Sequence, residues 1–295
     1  MSSARTGFAI IEAPSILGLR PTGVERLPKA LLSAGLAERL DARSAGEVSS
    51  PPYDDRRDIE TKMLNAHALA DYSISLADAV AQVLDECERP LVLGGDCSII
   101  LGNLLALRRR GRYGLLFIDG HADFYQPEAN INGEAASSEL AFATGRGPAV
   151  MTTFEGLRPL VHDEDVVVIG YRDADEAASY GSQLLPPAMP AHDLASLRRS
   201  GARTTARAAV DHLSRPELDG FWIHFDVDAL DDAIMPAVDY RQPGGLSWSE
   251  AREILGVAMA SRRAAGIDVT IFNPSLDPSG DIARSLVDMI AGALV

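Results

Sequence analysis

"YGLLFIDGHADF", residues 113–124, runs through six apolar or aromatic-rich positions and then breaks into Asp119, Gly120, His121, Ala122 and Asp123. A short, nearly continuous apolar run that stops at glycine and aspartate reads as a strand covered on both faces. The same form recurs in "GFAIIEAP", "PLVLGG", "DVVVIGYRD", "GFWIHFDVDAL" and "GIDVTIFNP". Between these runs lie longer amphipathic stretches with helical spacing: "VERLPKALLSAGLAERL", "SISLADAVAQVLDECE", "ASLRRSGARTTARAAVDHLS" and "LSWSEAREILGVAMASRRAAG". Strand and helix patterns that alternate in this way predict an α/β protein, a mostly parallel sheet with helices on both faces. No repeat, low-complexity tract or linker divides the chain, so residues 1–295 read as a single domain; "SAGEVSSPPYDDRRD" reads as an exposed loop.

Composition narrows the function classes. A chain of 295 residues with 46% hydrophobic residues can bury a substantial core. Its formal charge of −15 speaks against nucleic acid or an anionic membrane surface as partner, because both reward a basic face. The two cysteines, Cys87 and Cys97, make no disulfide framework, and a reducing compartment is the simplest assumption. No apolar run approaches the roughly 20 residues of a membrane span. The opening "MSSARTGFAIIEAPS" is interrupted by Glu12 and Pro14 and does not read as a signal peptide, so a cytoplasmic location is expected.

Ligands of open parallel sheets bind beyond the carboxyl ends of the strands, and here those ends are crowded with potential ligand atoms. One run ends in Asp96 and Cys97, and another in Asp119, His121 and Asp123. A third ends in His224, Asp226, Asp228, Asp231 and Asp232, and a fourth in Arg172, Asp173 and Asp175. Residues two apart on extended chain share a face, so Asp119, His121 and Asp123 point together, as do Asp226 and Asp228. Taken alone, D-x-H-x-D is as well explained by a solvated turn. With a second D-x-D on another strand, carboxylates would repel and suffer desolvation unless a cation neutralised them. Oxygen ligands with one imidazole suit Mn²⁺, and are also compatible with Fe²⁺, Co²⁺, Ni²⁺ or Zn²⁺.

"GGDCS", "DGHADF" and "HFDVDALDD" resemble the three signature blocks of the arginase and agmatinase family, the ureohydrolases. The likeness extends over nearly the whole chain, through "APSILGLRPTGVERLPKALLSAGLAERL", "IGYRDAD", "PGGLSW" and "GIDVTIFNPSLD". The resemblance implies a three-layer α/β/α fold with an eight-stranded, mostly parallel sheet, assembled as trimers or hexamers. It implies a binuclear Mn²⁺ centre in which Asp119 and Asp226 bridge the ions. His121 and Asp228 would complete one position, and Asp123 with residue 97 the other. Asp123 would also carry a proton to the leaving nitrogen, as the catalytic residue. The implied substrate is a small cationic guanidino or formimino compound, hydrolysed to urea or formamide and an amine.

The departures from the family pattern bear on substrate and metal. Cys97 stands where the family usually has histidine, leaving three readings: a thiolate ligand, a small packed hydrophobe, or a nucleophile, which would need a base held close. A thiolate favours Zn²⁺ or Fe²⁺ over Mn²⁺. Against the family, Ala136 takes the place of arginase's histidine proton shuttle and Ile271 that of a guanidinium-binding glutamate. A charge-assisted hydrogen bond to a desolvated cation is strong, so its loss speaks against ordinary arginase chemistry. Of the residues that would read an amino acid's α-groups, Asp175 is retained, Asn130 and Asn132 are stand-ins, and Ala178 replaces an acid. Glu134, Glu139 and Tyr125 lie in the variable loop, as cation binders or as solvated loop groups. His224 reads as a hydrogen-bonded core histidine or a partner behind the ligands. The expectation is a metal-dependent hydrolase of a linear, non-peptide C–N bond; the alternative is a catalytically silent regulatory or assembly protein of the same fold.

Overall fold

The computed structural model describes residues 7–295; the first six residues of the segment read above as no signal peptide lie outside them. Among the described residues there are eight strands: β1 Phe8–Ala13, β2 Arg43–Glu47, β3 Arg89–Gly94, β4 Tyr113–Ile118, β5 Val166–Ile169, β6 Ala191–His192, β7 Gly220–Asp226 and β8 Ala264–Thr270. They form one sheet in the order β2-β1-β3-β8-β7-β4-β5-β6, parallel at every pairing. The six runs read as strands are β1, β3, β4, β5, β7 and β8. The two edge strands were not legible. β2 is mostly exposed and begins the segment read as a loop, while β6 is two residues long. Neither carries the apolar run that a strand covered on both faces requires.

Among the described residues eleven α-helices accompany the sheet: α1 Leu27–Ser33, α2 Leu36–Leu40, α3 Ala66–Asp85, α4 Ile100–Arg108, α5 Glu139–Ala143, α6 Ala149–Thr152, α7 Ala174–Ser179, α8 Leu194–Ser200, α9 Ala202–Leu213, α10 Trp248–Met259 and α11 Asp281–Leu294. Two buried clusters lie on opposite sheet faces, as side-chain alternation along a strand demands. Leu116, Ile118, Ile223, Phe225, Ile267 and Val269 face α1, α2 and α8–α11. Leu115, Phe117, Val92 and Trp222 face α3–α6. The result is a three-layer α/β/α architecture.

Register places the chemistry. In the centre of the sheet Phe117 pairs with His224, His224 with Asp268, and Asp226 with Thr270. The carboxyl ends of β3, β8, β7 and β4 therefore lie side by side, each delivering one loop to the same spot. Glycines let those loops approach. A Cβ on Gly95 would fall 1.8 Å from the Ser15 carbonyl oxygen, and one on Gly120 2.8 Å from the Asp228 carbonyl oxygen.

Candidate metal centre

The loop after β4 holds Asp119, His121 and Asp123. Asp119 Oδ1 accepts the His121 amide N–H at 2.7 Å, which closes a tight turn and swings the imidazole over the end of β7. There His121 Nδ1 lies 3.0 Å from Asp228 Oδ2. Asp123 sits in the left-handed region at φ 43°, a conformation a non-glycine residue adopts at some cost. Across the sheet, Asp226 Oδ1 accepts the Asp228 amide at 2.7 Å, and Asp228 Oδ1 accepts the Gly120 amide at 3.1 Å. Arg172 braces this loop from behind, donating to the carbonyls of Asp228 and Gln242 at 2.9 Å each.

Cys97 is buried at the start of α4's lead-in turn. Its thiol lies 2.6 Å from Asp226 Oδ2 and 3.1 Å from the Thr270 hydroxyl. Burial, and next the Asp226 charge, push the thiol well above its ordinary value, so here it is an S–H donor to a carboxylate. The thiol's hydrogen-bond partners are a carboxylate and a hydroxyl, and the imidazole of His224, within 4.8 Å, makes no bond to it, so the nucleophile reading loses its support. Asp96, grouped with Cys97 on sequence, faces the other way. It accepts from the Ser98 amide at 2.9 Å, from the Gly18 amide and the Ser15 hydroxyl at 3.2 Å each, and from the Ser98 hydroxyl. Asp96 is an N-cap, not a ligand.

Three overlapping sets of ligand atoms converge, each with its atoms within 4.8 Å of one another: Cys97, Asp119, His224 and Asp226; Asp119, His121 and Asp228; Asp119, Asp123 and Glu139. Five carboxylates thus gather around the imidazoles of His121 and His224, with the Arg172 guanidinium acting on Asp228, and the acids outnumber the cations. The electrostatic consequences follow. Burial and then Asp228 raise Asp119 and Asp226; burial and then Glu139 raise Asp123; burial and then Asp119 raise Glu139. Burial opposes a charge on His121, but Asp228 and Asp119 outweigh it and raise the imidazole, and the same pairing with His121 holds Asp228 low against its own burial.

Several of these atoms are buried without a hydrogen-bond partner: Asp119 Oδ2, His224 Nε2 and both Glu139 oxygens, the last beside the Asp123 carboxyl. Buried polar groups without partners are rare because each costs its desolvation. Orphaned lone pairs from three elements that face one space are a donor set suited to a divalent ion. The donors therefore fit the metals that the sequence implies.

Above the acids opens a pocket walled by Leu19, Tyr125, Asn132, Glu176, Tyr180, Tyr240 and Ile271, with His121, Asp123, Asp226 and Asp228 at its floor. Of the residues read as α-group binders, Asn130 lines the pocket but spends its amide on its own loop. It donates to the Glu134 carbonyl at 2.7 Å and the Ser138 hydroxyl at 2.9 Å, and accepts from the Gly133 amide at 2.8 Å. Asn132 lines the pocket and donates to Glu134 at 2.7 Å and to Tyr240 at 3.0 Å. Asp175 lies exposed in the first turn of α7, off the wall that Glu176 occupies. Glu134 is buried and accepts from Tyr240 at 2.5 Å; Tyr125 stands in the wall. Glu139 is not a solvated loop group: it begins α5, fully buried among the acids.

The Arginase family model matches residues 6–295. Among curated proteins, the arginase of Staphylococcus aureus (strain COL) is 28% identical over 289 residues, 95% of this chain and 94% of that protein. The solved arginase of Bacillus caldovelox superposes with a TM-score of 0.86 at 26% identity, covering 98% of each chain. The formimidoylglutamase of Bacillus subtilis subsp. subtilis str. 168, at 18% identity and a TM-score of 0.74, covering 100% of this chain and 88% of that chain, shares the architecture. Spanned from residue 6 to its last residue by one family model, the chain belongs to the Arginase family.

Proposed function

We propose that the chain is a divalent-metal-dependent hydrolase of a linear, non-peptide C–N bond, acting on a small guanidino or formimino compound. The observation that carries this reading is the set of buried, unpartnered ligand atoms of Asp119, Glu139 and His224 beneath an open pocket. Asp119 and Asp226 would be shared between two ions, His121 and Asp228 would hold one, and Asp123 and Cys97 would hold the other. Ions held there supply an acidified water and Lewis-acid stabilisation of developing charge.

The chain's own residues define the rest. Asp123, Asp226, Asp228 and Glu176 give the pocket acidic walls that draw a cation in, with His121 as the basic group at its floor. Asp123, raised in the metal-free fold by burial and then by Glu139, is the carboxylate at the pocket floor that would take up a proton and pass it to a leaving nitrogen. Tyr125, Tyr180 and Tyr240 offer aromatic faces to a planar cation. Ile271 puts an apolar wall where the resemblance places a glutamate, which favours a substrate other than plain arginine, such as an N-hydroxyguanidine or a formimino acid.

A screen of guanidino acids, agmatine-like amines, N-hydroxyguanidines and formimino acids with added Mn²⁺ tests this, with urea or formamide release as the readout. Turnover of one class that is abolished by chelation is expected. Full metal occupancy with no turnover of any class would favour the catalytically silent alternative.

A further inference from the structure

Position 97 lacks the imidazole that the resemblance places there, yet the same cluster contains a second imidazole from another strand. His224 lies on β7, fully buried, two residues before Asp226 and on the same strand face. Its ring stacks on Phe117 with centroids 4.8 Å apart and planes 22° apart, so it cannot swing away without opening the core. Its Nδ1 lies 2.5 Å from Asp268 Oδ1, directly across the β7–β8 pairing.

Asp268 fixes which nitrogen is free. Its other oxygen already accepts from Trp222 Nε1 at 2.5 Å and from Asn103 Nδ2 at 2.9 Å. A carboxylate so surrounded by donors acts as an acceptor toward His224 too, which puts the proton on Nδ1 and leaves the Nε2 lone pair open. That Nε2 is buried, has no hydrogen-bond partner, and lies 3.9 Å from the equally unpartnered Asp119 Oδ2. A histidine held by a carboxylate through one nitrogen and offering the other is the arrangement of metal-ligating imidazoles.

We infer that His224 supplies the imidazole that position 97 does not, so that Cys97, His224, Asp119 and Asp226 form a Zn²⁺-selective position within the centre. The inference rests on the metal-dependent reading above and changes one of its two positions. Sulfur, nitrogen and carboxylate oxygen are together the ligand set of zinc, whereas the neighbouring position, built on His121 and carboxylates, keeps the harder character that suits Mn²⁺. Binding at the first position releases the thiol proton now shared with Asp226 to solvent, leaving Cys97 as thiolate.

The test is competition dialysis of the chelated full-length protein against equal Zn²⁺ and Mn²⁺, followed by elemental analysis and zinc-edge X-ray absorption. One Zn²⁺ per chain is expected, with one sulfur at about 2.3 Å and imidazole nitrogen at about 2.0–2.1 Å. Cys97→Ser, a near-isosteric change, should remove the sulfur and leave the imidazole. His224→Ser should remove the imidazole and weaken Zn²⁺ by more than about 100-fold, and Asp268→Asn, through the ring's orientation, by about 10- to 100-fold. Zinc bound without sulfur or without imidazole in the wild-type protein overturns the inference. Two Mn²⁺ taken in preference to Zn²⁺ also overturns it, leaving the hydrolase reading intact. A protein that takes up neither ion overturns both.

Discussion

Removing the metals should lower the melting temperature, and by an amount that grows with pH. Near 2.1 cal/mol/K per residue, unfolding 295 residues carries an entropy of about 0.6 kcal/mol per degree. A divalent ion held at 1,000 times its dissociation constant adds about 4.1 kcal/mol, hence about 7 °C for each occupied position. The pH dependence follows from the groups that must give up protons. Asp119, Asp123, Asp226 and Glu139 are raised in the metal-free fold, above the ordinary values near 3.9 and 4.3 of an unfolded chain. A carboxyl raised on folding binds more protons folded than unfolded, so the metal-free protein loses stability as pH rises through the raised values. His121, also raised, adds to the same trend: its contribution is complete below the unfolded value near 6.5 and lost above. Asp228, held low, acts oppositely, and only in stronger acid. The ions reverse the penalty, so the gap between loaded and chelated protein should widen as pH rises above the ordinary carboxylate range. Each proton released adds about 2 °C per pH unit, from 1.36 kcal/mol per unit. Calorimetry of chelated and Mn²⁺-loaded protein at fixed free metal measures this. A gap of zero, or one that does not change with pH, would refute the reasoning.

Two substitutions probe other parts of the site. Ile271→Glu should restore a charge-assisted hydrogen bond to a guanidinium, about 1.5–3 kcal/mol, raising kcat/KM for plain guanidino substrates at least 10-fold; no gain would mean the apolar wall does not set the substrate. Asp96→Ala should cost about 3 kcal/mol by removing a cap and stranding buried donors, lowering the melting temperature by about 5 °C while metal stoichiometry stays unchanged. Lost stoichiometry in a folded Asp96→Ala protein would make Asp96 a ligand after all.

The sheet was legible because its six inner strands carry nearly continuous apolar runs, and the candidate ligand loops because D-x-H-x-D and D-x-D stand at the ends of two of them. β2 and β6 lack that signal, being exposed or two residues long. Helices α4 and α11 escaped for the reason that "SIILGNLLALR" is apolar nearly all round and reads as strand, while "DIARSLVDMIAGALV" follows the last strand and no further strand brackets it. In the site, Asp119, His121, Asp226 and Asp228 announced themselves by spacing. Glu139 did not, since burial of a loop-following glutamate depends on which strand end α5 packs over. His224 showed its strand face in the sequence, but its free nitrogen depends on Asp268, Trp222 and Asn103, brought together only by sheet register and the packing of α4.

Anomalous diffraction from crystals grown with Mn²⁺ and Zn²⁺ bears most directly on the claim that these buried acids converge to hold divalent ions. Two peaks are expected, both in contact with Asp119 and Asp226, one also with His121 and Asp228. Crystals with no peak between Asp119 and Asp226 at millimolar metal would contradict it.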